Sequence, residues 1–311
     1  MTSPCCRVQT LGTLLGLPIG VETSRYHLVR ARQIYWGISI EMRRVIAGLA
    51  ALALVFCYAA TLGGMVHQWW TDEDMGHAFL APLVIAWIVW RERGRWKTLP
   101  VQPSLWGFAV LALAACLQLA SALGAGLFAA SLALLLSVIG LVLCLLGFAW
   151  LRVWAFPLLL TLFMLPKLAI VYNQITLPLQ LVATRLAGGM LSMAGFLVVR
   201  DGNILNVAGH SISVVEACDG IRYLLPLGFL ALVFAYAAGA KSWMRAVMLA
   251  AAIPTAIVAN ALRVAFSGLS PKLTEGTPHA LLGTFIFLLC LGLIAGIYRL
   301  LARWQPNHGS S

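Results

Sequence analysis

Eight runs of apolar residues, near 45–65, 78–90, 105–123, 127–147, 153–171, 221–240, 246–266 and 279–299, divide this chain and limit what it can fold into. A helix needs about 20 apolar residues to cross the ~30 Å hydrocarbon core, and lipid tolerates only backbone whose polar groups are satisfied internally. Most of the runs meet that length. Gly76 to Trp90 extends the second with tilt, and Pro157 and Pro166 make the fifth kinked or partly re-entrant. With 61% hydrophobic and 10% charged residues, the sequence predicts an all-α polytopic membrane protein of about eight transmembrane helices.

The formal net charge of +11 raises the question of a nucleic-acid partner. The basic residues, however, fall in short clusters between apolar runs rather than along one polar face, so the partner they imply is the lipid bilayer and not nucleic acid. Arg43 and Arg44 precede run one; Arg91, Arg93, Arg95 and Lys97 follow run two; Arg152 follows run four; Lys241 and Arg245 follow run six; Arg299 and Arg303 follow run eight. If eight spans alternate, all of these share one side, and the positive-inside rule makes that side cytoplasmic together with both termini. One multi-pass domain is expected over residues 42–305, with a tail at 306–311. Residues 1–41 carry no apolar core or small-residue site of a cleaved signal. They read as an N-terminal extension, loosely ordered or preceding a true start at Met42.

On the opposite side lie the connection from His67 to His77, the segment from Tyr172 to Asp219, and the loop from Ser267 to Pro278. Within the second of these, short β-branched runs from Leu197 to Val215 are broken at Asp201-Gly202 and Gly209-His210. That pattern predicts a small extracytoplasmic β-hairpin or meander delivering the chain to Cys218. The spacing from Gln174 to Met193 predicts an interfacial amphipathic helix. The seven cysteines show neither a disulfide framework nor zinc-like spacing. No Walker loop or dinucleotide fingerprint calls for a cofactor.

Glu216-Ala217-Cys218-Asp219-Gly220-Ile221-Arg222 places a thiol where a membrane helix begins. The helix N-terminus and Arg222 both favour the reactive thiolate. A buried arginine within a hydrophobic span is costly and marks a functional site by default; Arg263 lies in such a span, unless it snorkels to the headgroups. His279 opens the next run. Alternating spans bring Cys218, Arg263 and His279 to one non-cytoplasmic interface. Thiol, imidazole and guanidinium together fit nucleophilic acyl transfer: Cys218 attacks a carbonyl, His279 takes and returns the proton, and Arg263 stabilises the oxyanion. Asn260, one turn before Arg263, orients the guanidinium, gives a second donor, or bonds a neighbouring helix. Glu216 is better placed to pair with Arg222 than to ligate a metal, and reads first as a solvated interfacial charge. In the first outer loop, Asp72, Glu73, Asp74 and His77 are too close together and acidic to specify a metal site, and His77 is expected to have a structural or substrate-contacting role.

The order of Glu-Ala-Cys-Asp-Gly-Ile-Arg at 216–222, Asn-Ala-Leu-Arg at 260–263 and His279 with Gly283, with Asp74 and His77 ahead of run two and Arg200-Asp201-Gly202-Asn203 in the strand region, resembles the exosortase/archaeosortase family over roughly residues 45–300. The resemblance implies a transpeptidase-like cysteine enzyme of the bacterial inner membrane, with no cofactor. Its partners would be exported proteins carrying a C-terminal sorting signal: a short Pro-Glu-Pro (PEP) type motif, a transmembrane helix and basic residues. It implies Cys218 as nucleophile and Arg263 and His279 as the rest of the site. Two other classes compete with it: a transporter binding an anion at Arg263 and His279, and a non-catalytic scaffold of polysaccharide export.

Overall fold

A computed structural model describes residues 40–96, 98–207, 210–213, 221–270, 273 and 276–303. Helix α1 (Ile40–Cys57) and α2 (Ala59–Thr71) meet at an angle of 63°. Tyr58 between them leaves the helical region (φ −105°, ψ 14°), and its hydroxyl bonds Ser137 across the bundle at 2.9 Å. A 3₁₀ turn, Glu73–Phe79, leads into α3 (Leu80–Arg91) and the short α4 (Arg93–Trp96). Next come α5 (Trp106–Ala120) and α6 (Gly126–Leu145), which pack closely because Gly107 faces Gly140: a Cβ on Gly107 would lie 2.6 Å from the Gly140 carbonyl.

The fifth run is broken, as its prolines required. Helix α7 (Phe148–Val153) and α8 (Ala155–Thr161) are separated at Trp154, and Pro157 sits in the first turn of α8, where its missing N–H costs no hydrogen bond. Leu165, just before Pro166, turns extended (ψ 139°) and ends the segment.

Helix α9 (Ala169–Met193) covers the helix expected over 174–193. Its polar stripe, Thr176, Gln180 and Thr184, is buried, while Ile175, Leu177, Leu181, Val182 and Leu186 face outward. The helix is amphipathic with its polar side turned into the protein, and it packs against a later helix, α11, and the sheet.

Strands β1 (Val198–Asp201), β2 (Ile204–Val207) and β3 (His210–Ser213) form a three-stranded antiparallel meander in the order β1-β2-β3. Asp201 pairs with Ile204 around a two-residue turn, where Gly202 adopts φ +58°. Leu205 and Val207 are buried against Ala187 and Leu191 of α9 and against Val264. Of the hairpin or meander expected here, the structure shows the meander, docked on the helices through one apolar face.

Three helices complete the chain: α10 (Ile221–Ala237), α11 (Ser242–Leu269) and α12 (Gly276–Arg303). Along α11, Met244, Met248, Ala252, Ala256 and Ala259 are buried against Leu227, Ala231 and Ala235 of α10 and Ile286, Cys290 and Ile294 of α12. Small residues at that four-residue spacing let the helices approach closely. Four described helical segments are long and apolar enough to cross a bilayer: Trp106–Gly124, Gly126–Leu145, Ser242–Leu269 and Gly276–Arg303; the bent α1–α2 pair makes a fifth. The chain is a helical, multi-pass membrane protein.

Candidate active site

The buried stripe of α11 continues from its small residues into Asn260 and Arg263, which are 1% and 4% exposed. Arg263 therefore points into the bundle, and the snorkelling alternative falls away. Its Nη2 lies 2.5 Å from His279 Nε2, at the start of α12. The other ring nitrogen of His279 lies 2.7 Å from the Leu273 carbonyl. A carbonyl only accepts and a guanidinium only donates, so Nδ1 carries the proton and the Nε2 lone pair receives Arg263. The same Leu273 carbonyl accepts from Ser267 at 3.1 Å, tying the end of α11 to the connection before α12.

Tyr223, 40 residues before Arg263 in the chain but adjacent in space, supplies the third side. Its ring lies beneath the guanidinium, 5.6 Å from Arg263 Cζ, and its hydroxyl donates to the Gly283 carbonyl at 3.4 Å. Gly283 is required by this approach: a Cβ there would lie 3.1 Å from the Tyr223 hydroxyl and 3.6 Å from Arg263 Cζ and Nε.

A cleft of about 340 Å³ opens beside these groups, lined by the 3₁₀ turn (Glu73, Asp74, His77), the start of α10 (Arg222, Tyr223), Arg263 and α12 (Gly283). Sequence reasoning grouped Cys218, Arg263 and His279, with Arg222 beside the thiol; the fold sets Arg222 and Arg263 on one cleft and brings Asp74 and His77 to it. Arg222 pairs with Glu73 at 2.6 Å. That partner comes from the first outer loop and was not expected from the sequence. Glu216 and Cys218 themselves lie outside the described residues.

Asp74 is held from behind. Lys167 pairs with it and with Asp72, the latter at 2.8 Å, and the Tyr172 hydroxyl donates to Asp74 at 2.9 Å. His77 is buried, with Nδ1 3.2 Å from the Asp74 carbonyl. Burial lowers its pKa, outweighing the Asp74 and Phe163 carbonyls and the Asp74 charge, which raise it. Neutral His77 thus forms a wall of the cleft. Trp69 steadies the same turn through its indole N–H, which donates to the Met164 carbonyl at 3.0 Å. Among the described residues no three His, Cys, Asp or Glu side chains are grouped to hold a metal ion.

Asn260 is elsewhere. It lines a small pocket with Leu179 and Ala183 of α9 and Leu224 of α10. Tyr223, Lys167 and Tyr172 were missed from the sequence. A lone lysine in the apolar run from 153 to 171 was a signal for Lys167, by the argument that marked Arg263. Tyr223 carried none.

A family model described as transmembrane exosortase matches residues 69–296. The chain belongs to the exosortase family. The match takes in both walls of the cleft, from Trp69 to α12, and leaves α1 outside. Exosortases are transpeptidase-like membrane proteins that act on exported proteins bearing sorting signals. No curated protein and no solved structure matches the chain.

Proposed function

We propose that this exosortase cleaves C-terminal PEP-type sorting signals of exported proteins through a thioester on Cys218, at the outer face of a bacterial inner membrane. The observation that carries the reading is the hydrogen bond between buried Arg263 and half-buried His279 at the edge of an open cleft. Arg222 also lines that cleft, and Cys218 precedes it by four residues. Chain connectivity alone therefore keeps the two Cα atoms within about 14 Å.

In the proposed reaction the Cys218 sulfur attacks the scissile carbonyl carbon, and Arg263 donates to the oxygen as it gains charge. At rest the His279 lone pair is occupied by Arg263. When the guanidinium turns to the oxyanion, Nε2 is released to take the thiol proton and pass it to the leaving amine as the C–N bond breaks. An acceptor nucleophile then attacks the thioester and frees Cys218. Glu73 and Arg222 line the entry, and Asp74 and His77 shape its wall. Neutral His279 bound to a buried arginine favours this over anion transport, since one cation already has a fixed protein partner.

Eight spans with both termini cytoplasmic remain our reading of the topology. Its support is that Arg95, Arg152 and Arg245, which alternating spans put on one side, line a single cavity away from the cleft. A reporter fused at Leu205 should signal the outer side, and a cytoplasmic signal would overturn the assignment.

The decisive experiment follows a model exported substrate by mass spectrometry. Cys218→Ser should abolish the new C-terminus at unchanged protein abundance, because the hydroxyl conserves volume but not the nucleophilicity of a thiolate. Processing by the serine variant at the wild-type rate would remove the enzyme reading.

A further inference from the structure

The described structure holds a cavity larger than the cleft. About 770 Å³ in volume, it lies at the other end of α11, with Arg245, Ala246 and Leu249 on that helix, Glu92, Arg95 and Trp96 after α3, Arg152 and Trp154 around α7 and α8, and Tyr236 at the end of α10. Arg245 and Arg263 are 18 residues apart on one helix, about 27 Å at 1.5 Å per residue, close to the hydrocarbon thickness of a bilayer. The cavity and the cleft thus sit at opposite membrane faces.

Three arginines line the cavity against one carboxylate. Glu92 accepts from the Tyr236 hydroxyl at 2.6 Å and from Arg95 at 2.9 Å. The tyrosine bond foremost, and then Arg95, hold Glu92 below its ordinary pKa despite its partial burial, so it is charged at neutral pH and the lining keeps a net positive charge. Arg245 is propped rather than neutralised: its Nε donates to the Ala240 carbonyl at 2.9 Å, and its guanidinium stacks on Phe156 and Tyr236 at 5.0 and 5.1 Å. Arg152 enters no ion pair among the described residues. Trp96, Trp150 and Trp154 form one aromatic cluster, and the buried indole N–H of Trp154 finds no acceptor among the described residues. A buried donor of that kind costs roughly 1–3 kcal/mol unless something accepts from it.

Arg152 and Arg245, which meet no carboxylate among the described residues, a donor awaiting an acceptor there, and a tryptophan cluster at the membrane interface define a site for an oxyanion carried at headgroup depth. The wall continues inward through Ile88, Pro157, Leu159, Leu232 and Leu249, which suits an acyl chain. We propose that this cavity binds an anionic phospholipid, its phosphate between Arg152, Arg245 and Arg95 and its chains along the apolar wall. This site is independent of the chemistry assigned to Cys218.

The test uses full-length protein, delipidated in mild detergent and titrated with phosphatidylglycerol or phosphatidylcholine while bound lipid is counted by native mass spectrometry. Phosphatidylglycerol should be retained in preference to phosphatidylcholine. Arg152→Gln should weaken that retention about fivefold, and Arg95→Gln with Arg152→Gln about 25-fold, at the ~1 kcal/mol that each basic residue contributes near an anionic lipid. Arg152→Lys, which keeps the charge, should retain the lipid, and Arg303→Gln, outside the cavity, should match wild type. Equal retention of the two lipids would overturn the proposal, as would unaltered binding in the double variant or an equal loss in Arg303→Gln, which would mean diffuse surface charge. Inorganic phosphate supplied alone should neither stabilise the protein nor displace the lipid; if it does either, the ligand is a soluble phosphate and the lipid assignment fails.

Discussion

The cleft at one end of α11 and the cavity at the other both depend on arginine, but they hold it differently. At the cleft, Arg263 is buried and meets His279 through a direct hydrogen bond, and Arg222 meets Glu73 in the same way. At the cavity, Arg245 lies over Phe156 and Tyr236 and meets no carboxylate among the described residues. A hydrogen-bonded guanidinium has a fixed direction, which suits charge that develops at one atom. A stacked one keeps its N–H groups available around its rim and suits a diffuse or mobile anion. On the proposed readings, the same residue type serves chemistry at one end of α11 and recognition at the other.

The sharpest way to break this contrast is to keep the charge and remove the fork. Arg263→Lys should lower substrate processing by about 10²–10³-fold at matched protein levels, the usual loss when an oxyanion donor goes. Near-wild-type processing would mean that charge alone is needed there. His279→Gln refines the same point, since an amide can accept from Arg263 and donate to the Leu273 carbonyl yet cannot carry a proton. A loss at least as large as that of Arg263→Lys would assign His279 to proton transfer; retained activity would leave it only the task of holding the guanidinium.

Geometry is probed next, with charge untouched. Gly283→Ala places a methyl against the Tyr223 hydroxyl and the guanidinium, and a shift of a few tenths of an ångström there should reduce processing about tenfold with little change in stability. Wild-type turnover in this variant would show that Arg263 needs no close support from Tyr223.

The smallest effect should appear in stability. Lys167→Met leaves Asp72 and Asp74 without their cation in a partly buried place, where Lys167 and Asp74 side chains are each 14% exposed. Removing one partner of a fully buried pair costs 3–5 kcal/mol, so about 1–3 kcal/mol is expected here, read as a lower thermal midpoint in detergent. An unchanged midpoint would show that the acidic turn is held by Trp69 and Tyr172 instead.

Much of this protein was legible in its sequence. Apolar runs of spanning length fixed a helical multi-pass architecture, because lipid leaves a chain no other way to satisfy its backbone. Proline placement foretold the break ahead of Pro166, and Gly202 foretold the β turn. Arg263 and His279 stood out because a charge in an apolar run needs a reason.

What the tertiary structure alone decided was partnership. Glu73 and Arg222 are far apart in the chain, and only the packing of the 3₁₀ turn on α10 makes them a pair. Tyr223 looks in sequence like any aromatic residue opening an apolar helix; only the crossing of α10, α11 and α12 at Gly283 sets it beneath Arg263. The polar stripe of α9 was visible as a periodicity, but not its direction. Periodicity is set by 3.6 residues per turn and is written in the chain, whereas which face turns inward depends on what the other helices offer to bury.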